Sequence, residues 1–358
     1  MLTRLMTSGR EKEADIIIRN YPDEHYRTIF NRKNGFYVRV EEPGYPEPFW
    51  SKHGPELLDV SITNWCDMEC EICYRNSNKN GHYIKINDLK LILQQACEMN
   101  VKQIALGGGN PNNHPEFIEI LRMIHEDYGI IPSYTTNGRY LSNEILSATK
   151  KYCGAVAISL HNSENNTFNA LYRLLEYGIK SNIHFVLTPF SIPIALRWFQ
   201  NPDQLPVGLN AIIFLNYKPV GKFKDNRFLL KYSTKIREFF NIVTRNNYHF
   251  KIGFDSCMVS GIVKYTQVNP IYFEACEAGR FSAFISEDLK MYPCSFMIEN
   301  FDGIDLKENT ILDAWQNANI FNDIRKKLKT RACNCIKVDH CYGGCPIFDS
   351  INLCNILI

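Results

Sequence analysis

Short apolar runs rich in β-branched residues alternate with longer amphipathic stretches from residue 57 onwards. The pattern predicts six strands: LLDVSIT (57–63), KQIAL (102–106), PSYTT (132–136), AVAIS (155–159), NIHFVL (182–187) and AIIFL (211–215). It also predicts helices between them, among them DLKLILQQACEM, PEFIEILRMIHED, NEILSATKKY and FNALYRLLEYGI, with TKIREFFNIVTRNN after the last strand. The chain is therefore predicted to have an α/β fold.

Repeated strand–helix units indicate a parallel sheet, because a parallel connection between neighbouring strands requires an intervening element. Six such units suit either an open doubly wound sheet or an incomplete barrel of the TIM type. The periodicity alone does not distinguish these two architectures. In a barrel, functional residues assemble at the carboxyl ends of the strands.

The segments on either side of these units have different patterns. Residues 1–54 form a leading extension, in which FYVRVEE resembles a strand and EEPGYPEP is a turn region rich in Pro and Gly. Beyond residue 250 the strands become short, and helical periodicity is weak except around ILDAWQNANIFNDIRKKL. We therefore predict an N-terminal extension with a β-rich segment at 1–54, a main domain at 55–250 and a small Cys-rich domain at 251–358.

Composition and charge exclude several classes of partner. The chain has 40 basic and 38 acidic residues, a net charge of +2 that gives no reason to expect nucleic acid or an anionic membrane. The N-terminus lacks the apolar stretch of a signal peptide, and no apolar run approaches the about 18–20 residues that span a bilayer. We expect a cytoplasmic protein, and in that reducing compartment its thirteen cysteines point to metal binding or catalysis rather than to disulfides.

Three of these cysteines form a compact motif directly after the first predicted strand. Cys66, Cys70 and Cys73 have the spacing CxxxCxxC, which favours a shared ligand role. Three thiolates on one loop can bind three irons of a [4Fe-4S] cubane, which normally takes four cysteines, so one iron would remain open. A tetrahedral structural zinc site would need a fourth ligand from elsewhere.

This motif after the first strand resembles the radical S-adenosylmethionine superfamily, whose signature is CxxxCxxC in a partial (β/α)6 barrel. The resemblance implies that the open iron binds the amino and carboxylate groups of S-adenosylmethionine. One electron, from a donor such as flavodoxin or ferredoxin, would then yield a 5′-deoxyadenosyl radical. The cofactor carries this chemistry while the protein positions and shields it.

Several further positions match that family and are implied as contacts of S-adenosylmethionine. They are Ile72, Tyr74, Gly107, Gly108, Gly109, Asn137 and Ser159. The glycines end the second strand, where the family usually has a Gly-Gly-Glu segment, and the acidic residue is missing here. The position of Ile72 is more often aromatic in that family, and Tyr74 is expected to pack on the adenine instead. The competing interpretation is structural, with the glycines and Asn137 in ordinary turns and Ser159 as a cap.

Eight cysteines beyond residue 250 resemble the SPASM domain, an extension that carries auxiliary clusters in peptide-modifying radical enzymes. Eight thiols are enough for two [4Fe-4S] clusters. The interleaved pattern of that family implies one cluster on Cys257, Cys276, Cys294 and Cys345 and another on Cys333, Cys335, Cys341 and Cys354. A zinc-ribbon-like fold on the same thiolates is the alternative. We expect packed, non-ligating thiols at Cys97 and Cys153, and structural or solvent-exposed roles for His114 and His161.

The resemblance implies an enzyme that abstracts hydrogen from a peptide or protein substrate, as in the cross-linking or other modification of ribosomal peptides. Sulfatase-type maturation fits less well, because those enzymes place an acidic residue where Ser295 follows Cys294. A dehydrogenase of a small molecule is a further alternative. From another class, a non-catalytic iron–sulfur or zinc protein could sense redox state or bind a partner. The sequence does not identify the catalytic acid or base.

Overall fold

The computed structural model describes residues 15–33, 35–160, 163–245, 247–330, 333–335 and 337–354. The chain divides into two compact units, Met1–Phe49 and Trp50–Ile358. Within the described residues, every helix is too short or too polar to span a lipid bilayer.

The described part of the first unit is a three-stranded antiparallel sheet. Its strands are β1 (Ile16–Tyr21), β2 (Tyr26–Asn31) and β3 (Tyr37–Glu41). β2 lies in the centre and pairs with both neighbours. The predicted strand FYVRVEE corresponds to β3, whereas β1 and β2 are strands that the pattern of the extension does not indicate.

The second unit is built on one large sheet with helices packed on it. Its strands are β4 (Leu57–Thr63), β5 (Gln103–Gly108), β6 (Ile131–Thr136), β7 (Ala155–Ser159), β8 (Ser181–Leu187), β9 (Ala211–Asn216), β10 (Lys251–Phe254), β11 (Ser282–Ile285), β12 (Lys290–Tyr292) and β13 (Ile304–Asp305). Its α-helices are α1 (Ile86–Glu98), α2 (Phe117–Arg122), α3 (Asn143–Tyr152), α4 (Glu164–Glu176), α5 (Ile192–Gln200), α6 (Thr234–Arg245), α7 (Val259–Tyr265), α8 (Ile311–Asn317), α9 (Asn319–Thr330) and α10 (Val338–Cys341). α2 continues into a π-helical turn at Met123–Asp127.

Strands β4 to β10 lie side by side in their order along the chain, and each neighbouring pair is parallel. Each crossover therefore moves in the same direction, and right-handed crossovers then place the helices on one face. A doubly wound sheet would instead reverse its direction at a switch point. The strand order selects the barrel alternative, so the predicted partial (β/α)6 barrel is confirmed, with β10 as a further parallel strand.

Residues after position 250 contribute strands at both ends of this sheet. β10 extends it beyond β9, and β11 pairs in parallel with β4 on the other side. The antiparallel strands β12 and β13 follow β11. The first barrel strand, which leads into Cys66, is therefore held between β5 and a strand from the Cys-rich part of the chain.

The two faces of the barrel strands differ in polarity. On β4, Leu58, Val60 and Ile62 belong to the main apolar core that the helices share, and the other strands contribute alternate residues in the same way. Successive side chains of a strand point to opposite faces, so the residues between them line the inner face. These inner positions include Asp59, Ser61, Gln103, Ala105, Gly107, Ser133, Thr135, Ala157, Ser159, Asn182, His184, Val186, Ile213 and Leu215.

Candidate active site

The first three predicted metal ligands lie on the loop between β4 and α1, at the carboxyl end of β4. The N–H of Cys66 donates to the carbonyl of Asn78 at 3.0 Å, which anchors the start of the loop to its later part. The N–H of Cys73 donates to the carbonyl of Cys70 at 3.3 Å. These bonds fold the loop back on itself and hold three thiols within one short stretch of chain.

The three thiols also affect one another electrostatically. Burial raises the pKa of Cys66, and the charges of Asp67 and Cys73 add to the rise. Burial likewise raises the pKa of Cys70 to about 11, with further contributions from the charges of Cys73 and Cys66. Thiolates at this site therefore need a positively charged partner, which bound metal supplies.

The sulfurs do not form the tight triplet that a single tetrahedral ion requires. In a tetrahedral zinc site, Zn–S bonds of about 2.3 Å bring the sulfurs within about 3.8 Å of one another. Across the described residues, which include all thirteen cysteines, no three thiols have sulfurs that all lie within 4.8 Å of one another. A cubane binds each thiolate through a different iron and so tolerates a wider separation. Cys66, Cys70 and Cys73 are therefore suited to hold a [4Fe-4S] cluster.

The three glycines at the end of β5 have different surroundings. Gly108 has φ of +115°, and a Cβ there would lie 2.0 Å from the carbonyl oxygen of Thr63. A Cβ on Gly109 would lie 2.0 Å from the carbonyl oxygen of Trp65. These two glycines thus let the β5 loop pack against the chain that leads into Cys66. At Gly107 a Cβ would meet no atom within 4 Å, so of the three this position leaves space for a ligand.

Asn137 contacts the cysteine loop, whereas Ser159 faces the barrel interior further round. The Asn137 amide donates to Asp67 at 3.2 Å and lies 4.0 Å from the sulfur of Cys66. Ser159 ends β7 and stands in register with His184 on β8. Both residues lie at carboxyl strand ends, and their roles toward S-adenosylmethionine remain predictions.

The two residues beside Cys73 contact the C-terminal part of the chain. Ile72 packs against a small apolar cluster that includes Tyr217 and Cys345. The ring of Tyr74 lies 4.7 Å from that of Phe296 between centroids. Burial raises the pKa of the Tyr74 hydroxyl to about 12. Each side chain therefore has a packing role, and the predicted contacts with the cofactor stay predictions.

The inner face also carries two titratable groups that the motifs do not single out. Burial raises the pKa of Asp59 to about 6, with the charge of Glu277 adding to the rise. Burial lowers the pKa of His184 to about 4, so its imidazole is neutral at pH 7. Strand alternation could have identified both groups in the sequence. Asp59 stands between the core residues Leu58 and Val60, and His184 stands between Ile183 and Phe185.

The structure brings the first predicted auxiliary set together. The pKa of Cys257 is raised by a hydrogen bond with Cys345 and then by burial. Burial raises the pKa of Cys276, and the charges of Cys257 and Cys294 add to it. Burial also raises the pKa of Cys294 to about 12, again with a contribution from Cys257. These four thiols, far apart in sequence, therefore lie in one electrostatically coupled group.

The second predicted set behaves in the same way. Burial raises the pKa of Cys341, and the charges of Cys354, Cys333 and Cys335 raise it further. Burial raises the pKa of Cys354, to which Cys333 and Cys335 also contribute. The structure thus places the eight thiols in two groups, and both their ligand roles and their occupancy by clusters remain predictions.

The residues that were expected to take no part in metal binding have different outcomes. His114 is buried and hydrogen-bonds the carbonyl of Ile84 at 3.0 Å through Nε2, a structural role as expected. His161 lies outside the described residues. Cys153 packs against the main core. Cys97 is exposed on α1, so the expectation that it is packed was wrong.

Comparison with protein families agrees with the resemblance that the cysteine loop indicates. Residues 60–181 match the family model described as the Radical SAM superfamily. This range contains the end of β4, the cysteine loop and the strands β5 to β7. The chain therefore carries a radical SAM domain, and the resemblance seen in the sequence is confirmed.

Two solved structures are similar over most of the chain. SuiB of Streptococcus suis, solved with its precursor peptide SuiA, matches with a TM-score of 0.68 and 17% identity, covering 92% of this chain and 94% of that one. The protein anSMEcpe, solved with AdoMet and a peptide named Cp18Cys, matches with a TM-score of 0.60 and 16% identity, covering 82% and 90%. At these identities the likeness concerns the fold.

The curated relatives found by sequence have a different name from these two structures. A protein of Saccharolobus solfataricus named "Probable GTP 3′,8-cyclase" is 26% identical over 268 residues, 68% of this chain and 84% of that protein. A protein of Sulfurisphaera tokodaii with the same name is 24% identical over 266 residues, 67% of this chain and 81% of that protein.

Proposed function

We propose that this protein abstracts hydrogen from a peptide or protein substrate and thereby modifies or cross-links it. Cys66, Cys70 and Cys73 would hold a [4Fe-4S] cluster, which with S-adenosylmethionine would supply a 5′-deoxyadenosyl radical. The eight C-terminal cysteines would hold two auxiliary clusters. A small redox protein such as flavodoxin or ferredoxin would deliver the electron.

The low charge of the barrel's inner face is the observation that supports a peptide substrate. None of the strands β4 to β9 contains Lys or Arg, and Asp59 is the one acidic residue in them. Small or uncharged polar side chains such as Ser133, Thr135 and Asn182 make up much of the rest. Such a surface suits a polypeptide side chain and its backbone amides. The structural likeness to two proteins solved with peptides is in keeping with this.

GTP is the second candidate substrate, favoured by the name of the curated relatives. A nucleoside triphosphate carries several negative charges, and burying them requires positively charged partners. Strands β4 to β9 contain no Lys or Arg to pair with these charges, and the Asp59 carboxylate would repel a phosphate. Charge therefore favours the peptide over GTP within the barrel itself.

The test begins with protein purified without oxygen and reconstituted with iron and sulfide. Three clusters correspond to about twelve irons per chain. Reductant-dependent release of 5′-deoxyadenosine from S-adenosylmethionine is expected, and it should vanish when Cys66, Cys70 and Cys73 are all replaced by Ala. Activity that survives this triple substitution would refute the assignment of the cluster, and zinc without sulfide would refute the radical enzyme altogether.

Substrate class is tested by adding either GTP or short peptides encoded beside the gene, each with exchange-inert hydrogens replaced by deuterium. Deuterium is expected in 5′-deoxyadenosine with one of the peptides and not with GTP. Transfer from GTP together with a cyclised nucleotide product would overturn the peptide proposal in favour of the second candidate.

A further inference from the structure

The segment after β9 connects the first cysteine loop with the first auxiliary set of thiols. The N–H of Lys222 donates to the carbonyl of Cys73 at 3.0 Å. Gly221, with φ of +82°, lies so close that a Cβ there would be 2.2 Å from the same oxygen. At the start of the segment, the Asn216 side chain donates to the carbonyl of Cys257 at 3.3 Å. Residues 217–220 are therefore held between the first cysteine loop and the first auxiliary set of thiols.

Lys218 occupies that position, and its ammonium group is buried. Only 4% of its side chain is exposed, and it forms an ion pair with Asp255, two residues before Cys257. Its Nζ lies 4.5 Å from the ring centroid of Phe296, two residues after Cys294. Burying an ion pair costs desolvation energy, and such pairs are weak sources of stability. A role in the local electrostatics accounts for its placement.

The two contacts hold the ammonium group of Lys218 close to the chain at two of the predicted ligands. Asp255 stands two residues before Cys257, and Phe296 stands two residues after Cys294. A buried positive charge and its negative partner therefore lie beside the first predicted auxiliary set.

We propose that Lys218 is the counter-cation of a cluster held by Cys257, Cys276, Cys294 and Cys345, and that the Lys218–Asp255 pair sets the reduction potential of that cluster. This inference rests on the proposed function, because it requires that auxiliary cluster. One-electron reduction by an external reductant adds one negative charge to the cluster. A neighbouring cation favours the reduced state and a neighbouring carboxylate disfavours it, and both effects are strong in a buried site.

Two substitutions in the same ion pair should therefore shift the potential in opposite directions. Lys218→Met should lower the midpoint potential of this cluster, and Asp255→Asn should raise it. We expect each substitution to change the ratio of reduced to oxidised cluster at a fixed potential by about tenfold, or about 59 mV for a one-electron couple. The measurement is a dithionite titration of the reconstituted holoenzyme followed by electron paramagnetic resonance.

Matched variants assign the signals and separate charge from packing. Lys218→Arg keeps the charge and should leave the potential close to that of the wild type. Lys264 donates to the carbonyl of Cys354 at 3.0 Å, beside the second set. Lys264→Met should therefore shift the other auxiliary signal and leave the first unchanged. Repeating the titration with Cys66, Cys70 and Cys73 replaced by Ala removes the remaining cluster signal.

Opposite shifts are a signature that a purely structural ion pair would not give. If both substitutions shift the potential in the same direction, or neither shifts it while the cluster is present, the inference is wrong. If Lys218→Met fails to hold iron, Asp255→Asn alone must still raise the potential. A wild-type protein with only about four irons per chain would instead refute the auxiliary clusters themselves, and with them this inference.

Discussion

Asp59 places a carboxyl group among side chains that cannot pair with it. Its in-register neighbours are Ala105 on β5 and Phe284 on β11. Burial raises its pKa to about 6, and Glu277 adds to the rise. A carboxyl group with this pKa changes its charge close to neutral pH, which is common at sites that handle protons.

Replacing Asp59 by Asn should stabilise the protein at pH 8. A raised pKa means that the folded protein binds this proton more tightly than the unfolded chain, where Asp has a pKa near 3.8. The stabilisation by protonated Asp59 is complete below about pH 4 and is lost as the pH rises through about 6. The neutral amide avoids that loss, so we expect a gain of about 2 kcal/mol at pH 8 that shrinks at pH 5. Urea unfolding at both pH values measures the difference.

The matched control is Asp203→Asn, a substitution in the exposed turn Pro202–Gln204. It should change the free energy of unfolding by less than about 0.5 kcal/mol at either pH. If Asp59→Asn destabilises the protein at pH 8, or has the same effect at pH 5 and pH 8, its carboxyl group is not held in the way described.

The loop after β5 allows the predicted ligand contact to be separated from the packing of the chain. Gly107→Ala places a methyl group in open space, whereas Gly109→Ala places one 2.0 Å from the Trp65 carbonyl oxygen. We expect Gly109→Ala to lower the melting temperature and the iron content. Gly107→Ala should keep both but weaken binding of S-adenosylmethionine, by about tenfold if the methyl group costs about 1.4 kcal/mol. Calorimetry and iron analysis report the two effects, and wild-type affinity in Gly107→Ala would remove Gly107 from the predicted contacts.

The elements show which parts of the fold are readable from sequence. β4 and β7 occur at their predicted bounds. In β4 apolar and polar residues alternate from Leu58 to Thr63, and β7 is a short apolar run that ends at Ser159. β10 was not predicted because KIGF is short and contains a glycine. β11, β12 and β13 were not predicted either, since none of them is longer than four residues. The π-helical turn after α2 has no signature in apolar spacing, since the helix keeps its buried side chains.

The same distinction applies to the site. CxxxCxxC is a local motif, so spacing alone identifies it. The meeting of Lys218, Asp255 and Phe296 depends on how three distant segments pack, and no local pattern encodes it. Likewise, the inward direction of Asp59 follows from strand alternation, but its uncharged in-register neighbours Ala105 and Phe284 depend on how β5 and β11 pair with β4.

On the scale of the whole chain, the residues after position 250 divide into two kinds. Some join the main apolar core, such as Ile285 on β11, Trp315 on α8 and Phe321 on α9. Others carry the cysteines in stretches with little regular structure and pack into a small cluster that includes Cys345 and Ile351. Segments 274–280 and 337–349 contribute no residue to the main core, so they depend on bound metal for their order.

Removing the metal should therefore loosen the cysteine-bearing segments selectively. In hydrogen-exchange measurements on the whole chain, chelation should abolish protection in 274–280 and 337–349. α8 and α9 should keep theirs, because the main core buries them independently of the thiols. The raised pKa values of Cys294 and Cys341 add a pH dependence, since protons compete with metal for buried thiols. Loss of metal should accordingly be faster at pH 6 than at pH 8. Equal loss of protection in α8, α9 and the cysteine-bearing segments would mean that the unit from Trp50 to Ile358 unfolds as a whole and that the metal stabilises all of it.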